Sequence, residues 1–164
     1  MPTPVFSPTF EQVGTNSSPT IVPGFARQVI REGVATRTLR AAESGSLCCL
    51  DSATGVIYTL PAPVVGMTFE FEVTVSVTSN AHKIITSAAT EFLLGAVTAV
   101  TIATASPAGF SANGTTIRAL SANGTTTGGL IGERYTVTAI SSTQWLIHGV
   151  TVGSGVLVTP FATS

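Results

Sequence analysis

Residues able to do chemistry are few in this chain and lie far apart in sequence. Acid/base or hydrolytic catalysis brings titratable groups together so that their pKa values separate, and the chain supplies for this one aspartate, seven glutamates and two histidines. His82 stands beside Lys83, and His148 follows Trp145-Leu-Ile. Neither has a second His, Cys or carboxylate at metal-ligand spacing, so both read as structural. Ser154 lies in Gly153-Ser-Gly155, without the GxSxG spacing of a strained nucleophile elbow, and no P-loop is present. Gly128-Gly129-Leu-Ile-Gly132 does not fit a dinucleotide fingerprint and reads as a flexible loop before a strand. Glu70 and Glu72 fall two apart, on one face of a strand, like paired carboxylates. Like charges so placed mark a solvated face or meet Arg37, Arg40 or Arg134. Cys48 and Cys49 are adjacent, so on a strand their side chains point to opposite faces and a bond between them is strained. They read as reduced packing residues, the alternative being a vicinal redox pair, for which CxxC spacing and a flanking cation are missing. The expectation is a chain with no catalytic residue, no metal and no cofactor.

Composition points the same way. The chain has 164 residues, enough for one domain, and 44% are hydrophobic while 9% are charged, against roughly 25% charged in ordinary globular proteins. Seven Lys and Arg and eight Asp and Glu leave a net charge of −1, so Thr, Ser, Gly and Ala must make up most of the surface. A surface so poor in charge is expected to be covered by partners; the alternative is a Thr-coated secreted domain with none. A basic field for phosphate backbones is lacking, so no nucleic-acid partner is expected. The opening MPTPVFSPTF lacks the basic start and apolar core of a secretory signal. The longest apolar stretch, from Phe92 to Ala105, is interrupted by Thr98, Thr101 and Thr104 and is shorter than the roughly 20 residues of a membrane span, so no membrane partner is expected either.

Two regions follow from the patterning. Residues 1–34 carry Pro2, Pro4, Pro8, Pro19 and Pro23 among isolated apolar residues, which reads as an extended arm with Phe6, Phe10, Ile21, Val22 and Phe25 as anchors seeking a groove. Within it, Ala26 to Gly33 is compatible with one or two helical turns, placing Arg27 and Arg31 on one side. From residue 35 to 164 the chain reads as one β domain, a sandwich or small barrel of jelly-roll type. The clearest strand runs from Met67 to Val77, where Phe69, Phe71, Val73, Val75 and Val77 alternate with polar residues. Further strands are expected over Thr36–Ala42, Ser46–Asp51, Val56–Leu60, His82–Thr86, Ala96–Ala103, Thr115–Leu120, Arg134–Ile140 and Gln144–Gly149. Trp145 is expected in the core. The segment Ser111-Ala-Asn-Gly-Thr-Thr116 recurs as Ser121-Ala-Asn-Gly-Thr-Thr126. Two copies are too few for a solenoid and read as two Asn-Gly turns, suited to type I′, flanking one strand.

Asp51-Ser-Ala-Thr-Gly-Val-Ile-Tyr-Thr-Leu-Pro61, Gly66-Met-Thr-Phe-Glu-Phe71, Lys83-Ile-Ile85, Gly132-Glu-Arg-Tyr-Thr-Val-Thr-Ala-Ile140 and Gln144-Trp-Leu-Ile-His-Gly149 together resemble a β domain recurrent in tailed-phage virion proteins. These include capsid cement (decoration) proteins and parts of tail fibres. The resemblance spans roughly residues 36 to 150. The single domain, the apolar arm and the lack of a shaft or heptads favour cement over fibre. The resemblance implies a homotrimer seated between capsomers on the outer capsid surface, with the major capsid protein as partner, after synthesis in the host cytoplasm. On that reading Phe6, Phe10, Ile21, Val22, Phe25, Arg27 and Arg31 contact the capsid or a neighbour. Arg37, Arg40, Glu70, Glu72 and Arg134 are candidates for salt bridges between subunits. The alternative is a receptor-binding or fibre-tip module that recognises cell-surface glycan.

Overall fold

The computed structural model describes residues 27–31, 33, 35–103 and 106–164. In chain order the strands are β1 (Val29–Ile30), β2 (Thr36–Thr38), β3 (Leu47–Leu50), β4 (Ile57–Thr59), β5 (Thr68–Val73), β6 (His82–Ile85), β7 (Phe92–Thr101), β8 (Ala108–Asn113), β9 (Ala119–Ala122), β10 (Arg134–Ala139), β11 (Gln144–Gly153) and β12 (Phe161–Ala162). A 3-10 turn, Ala41–Glu43, interrupts the run. The protein is all-β: two mixed sheets form a sandwich, one ordered β1-β3-β5-β10-β11-β7-β8 and the other β12-β9-β6-β4-β2.

The connectivity is unusual for a sandwich. The first six strands alternate strictly between the two sheets, and within each sheet they stack in parallel: β1, β3 and β5 on one side, β2, β4 and β6 on the other. Parallel neighbours need a long crossover between them, and here the crossover of each pair is a strand of the opposite sheet. The chain therefore coils through three rungs before β10 and β9 add antiparallel strands to the two sheets. Turns such as Asp51–Gly55 accordingly arch from one sheet to the other instead of closing hairpins.

Alternation in β5 does what the pattern demands: Phe69, Phe71 and Val73 are buried while Thr68, Glu70 and Glu72 are half-exposed. The strand stops at Val73 and not at the expected Val77. Its neighbours run out there, because β3 ends at Leu50 and β10 begins at Arg134. Beyond that point the N–H groups of Thr74 and Val75 both donate to the Leu50 carbonyl, and alternation fails, with Val75 exposed and Val77 buried. The core between the sheets is aromatic at its centre. Trp145 packs against Phe69 with ring centroids 6.0 Å apart, and Tyr58 against Phe71 at 5.6 Å. Tilted pairs of this kind add to the energy of burial alone.

Three other expectations are corrected. Residues 29–30 are not helical: β1 lies parallel to β3, and its main chain hydrogen-bonds across the sheet, as where Leu47 N–H donates to the Gln28 carbonyl. That pairing places Val29 and Ile30, expected in the arm, within the sandwich. Ala108–Asn113, for which no strand was expected, forms β8 against β7; its sequence AGFSAN has too few branched or alternating residues to show a strand. The Asn-Gly turns do flank β9, but they are not type I′, which requires positive φ at both central residues. Only Gly114 and Gly124 have it, at +74° and +87°. Instead Asn113 Oδ1 accepts the N–H groups of Thr115, Thr116 and Ile117, and Asn123 Oδ1 accepts those of Thr125, Thr126 and Thr127. The recurrence in sequence is one side-chain-capped loop used twice.

Candidate functional site

Among the described residues, β7, β8, β11 and β12 carry no Asp, Glu, Lys or Arg, and five of the charged residues elsewhere pair with one another. On the outer face of the large sheet, β5 carries Glu70 beside β10, and Arg27 precedes β1. Arg27 Nη2 lies 2.6 Å from Glu70 Oε1, and Arg134 Nη2 lies 2.7 Å from Glu70 Oε2, so one carboxylate holds two guanidinium groups. Glu72 sits on the same face, with Arg134 as its register partner. On the small sheet, Arg37 of β2 donates to Glu43 Oε1 while the Arg40 N–H donates to Glu43 Oε2 at 2.8 Å. Four of the expected site residues, Arg27, Arg37, Glu70 and Arg134, thus pair through their charges inside the chain, while Arg40 contributes its main-chain N–H. Phe6, Phe10, Ile21, Val22 and Phe25 lie outside the described residues.

Arg31 is brought to a place the sequence did not indicate. The parallel pairing of β1 with β3 sets it against Cys49, where its charge and a side-chain hydrogen bond both lower the thiol pKa. Burial outweighs both, and the Cys49 pKa is raised overall. Cys48, facing the core, is pushed up to about 12, first by burial and then by Glu43. Both cysteines are free and buried, so neither is an activated thiolate.

Two buried polar side chains also escaped the sequence reading as organisers. Glu133, fully buried, accepts on Oε1 from the N–H groups of Gly129, Leu130 and Val152 and from the Thr151 hydroxyl, and on Oε2 from the Tyr135 hydroxyl at 2.6 Å. It ties the 128–132 loop to β11. Burial raises its pKa, while the hydrogen bonds from Tyr135, Val152, Gly129 and Leu130 to the charged form act in the opposite sense. His82 on β6 is 1% exposed; its Nδ1 accepts the Val56 N–H at 3.2 Å and its Nε2 donates to the Val75 carbonyl at 2.9 Å. That arrangement fixes the neutral tautomer and pins the segment leaving β5 to the small sheet. A hint was available in each case, since a lone Glu or His between apolar strands is buried only with partners.

Among the described residues, no group of three or more His, Cys, Asp or Glu is placed to hold a metal ion. His148 is exposed on β11, far from His82 in the other sheet. Among the described residues, an apolar groove of about 430 Å³ lies at the end of β7, with Thr101, Ala103, Pro107, Val156 and Leu157 on its walls. It carries no titratable group and so offers contact, not chemistry. Compared with family models, with curated proteins and with solved structures, the chain matches none.

Proposed function

We propose that this protein is a structural virion component, a cement protein that trimerises and binds the major capsid protein on the outer surface of a phage capsid. The observation that carries the reading is the internal use of a scarce charge set. Glu70, Glu43 and Glu133 are each engaged within the chain, so few charges are left to desolvate where the Thr-, Ser-, Ala- and Val-rich outer surface meets a neighbour. Such a surface is suited to standing against neighbours. The coiled, parallel stacking of β1 to β6 supports a mechanical role, because force along the strands is shared by ladders in both sheets. The apolar residues of the N-terminal segment supply the clamp by adding to an exposed sheet edge or filling pockets on the shell, and three copies acting together multiply weak contacts.

The test is co-sedimentation of the full chain with empty capsids built from a major capsid protein of the same genome. Saturable binding that raises the temperature at which the shells break is expected; absence of binding at micromolar protein refutes the proposal, and affinity for cell-surface glycan in its place identifies a fibre-tip module. The arm is tested with a chain beginning at Arg27, which keeps β1 and the Arg27–Glu70 pair. Full occupancy by that chain removes the arm as the clamp.

A further inference from the structure

The two Asn-Gly loops give this chain an internal control. Asparagine before glycine is prone to spontaneous deamidation, because glycine puts no side chain in the way of its own amide nitrogen. That nitrogen attacks the asparagine Cγ, and the new N–C bond closes a succinimide as the C–Nδ2 bond breaks. Ammonia leaves with the proton that the glycine N–H gives up. Water then opens the ring at either carbonyl and leaves aspartate or isoaspartate. Asn113 and Asn123 stand in the same six residues, Ser-Ala-Asn-Gly-Thr-Thr, and both are exposed, so in an unfolded chain they react at the same rate. Any difference between them in the folded protein is made by structure.

We infer that Asn113 is a site of this modification and that Asn123 is its protected twin. In each loop the reaction must wait for opening. The attacking N–H is already donated, from Gly114 to the Leu93 carbonyl at 2.9 Å and from Gly124 to the Gly128 carbonyl, and each Asn Oδ1 is tied to the N–H groups it caps. The rate is then set by the fraction of time each loop is open. The second loop is held shut by more of the fold. Its Thr125 carbonyl accepts the N–H groups of Ser154 and Gly155, its Thr126 carbonyl accepts that of Val158, and its Thr127 carbonyl accepts the Thr151 hydroxyl. The Asn123 N–H is itself donated to Thr127 Oγ1 at 2.9 Å. Gly124 is also wedged against main chain, for an added Cβ would stand 2.2 Å from the Val77 carbonyl oxygen. A Cβ at Gly114 would meet side chains instead, Gln144 Nε2 at 3.0 Å and Leu94 at 3.2 Å. The first loop is joined to β7 through the Leu93 main chain and to β11 through the Gln144 amide, which donates to the Gly114 carbonyl at 3.0 Å. Opening it breaks fewer bonds. Conversion puts a carboxylate into residues 92–117, where no Asp, Glu, Lys or Arg occurs. Isoaspartate also routes the main chain through the former side chain, so the Oδ1 cap is lost and the opened loop cannot close again.

The experiment needs no variant. Full-length wild-type protein is incubated at mildly alkaline pH, folded in one series and in denaturing urea in another. Both asparagines are followed by peptide mass spectrometry, with electron-based fragmentation separating aspartate from isoaspartate. In urea the two are expected to convert at equal rates. In the folded protein Asn113 is expected to convert at least about tenfold faster than Asn123, as separate local opening free energies for the two loops demand. Equal rates in the folded protein overturn the inference, because both loops then open only together. A faster Asn123 overturns it as well, and so does an Asn113 that stays intact while the chain in urea converts. Unequal rates in urea remove its premise that the shared sequence makes the two sites chemically alike.

Discussion

Acid should weaken this fold through His82, and the hydrogen bonds around that ring set the size of the effect. Nδ1 accepts from Val56 N–H and Nε2 donates to the Val75 carbonyl, so a second ring proton would point at a donor and leave the Val56 N–H without an acceptor. An orphaned buried donor costs about 1–3 kcal/mol. Burial is the main reason the His82 pKa lies below its ordinary 6.5, and the Val75 carbonyl and the Asp51 charge pull the other way. A histidine depressed in the folded state contributes stability that is present above its unfolded pKa and is lost as pH falls from there through its folded pKa. Within that window the slope is at most about 1.4 kcal/mol per pH unit for one proton. The assay is urea unfolding between pH 8 and pH 5, for wild type and for His82→Gln, whose amide offers one acceptor and one donor without titrating. Wild type is expected to lose stability below about pH 6.5 relative to the variant, by at most about 2 kcal/mol at pH 5 of a total near 5–15 kcal/mol. A difference between the two proteins that stays constant over the whole range refutes the reasoning.

The remaining predictions concern the same framework. Glu133→Ala strands four N–H and hydroxyl donors on Oε1 and the Tyr135 hydroxyl on Oε2, and should lower stability by about 3–5 kcal/mol in thermal unfolding, with Glu133→Gln much milder. Because burial raises the Glu133 pKa, its contribution is greatest below the unfolded carboxyl pKa and declines as pH rises through the folded value. Wild type minus Glu133→Gln should show that sign, opposite to His82, and a flat difference would reject it. Gly128 has φ +94°, and a Cβ there would stand 1.6 Å from Thr151 Oγ1 and 2.6 Å from Glu133 Oε1; Gly128→Ala should therefore cost on the order of 2–6 kcal/mol, read as a fallen urea midpoint. Glu70→Ala, by contrast, removes a partly exposed ion cluster and should change stability by only about 0–1 kcal/mol, less still in high salt.

What the residues determined by themselves was the type of element and the balance of forces. Period-two alternation through Phe69 and Phe71 demands a half-buried strand whatever surrounds it, and a single Trp among apolar neighbours demands a core. The shortage of charge was likewise a property of composition and needed no coordinates. Only the tertiary structure decided which strands are neighbours. Local pattern is the same for a strand paired in parallel or antiparallel, so the coil of β1 to β6 between two sheets left no local sign, and neither did a short edge strand such as β8, which exists because β7 offers it a ladder. The partners of charged and polar side chains depend on that pairing as well. Arg31 reaches Cys49, Arg27 reaches Glu70, and His82 bridges Val56 and Val75 because residues distant in sequence become adjacent across ladders and arches. Burial, fixed by packing and not by residue type, then sets which of these groups titrate where.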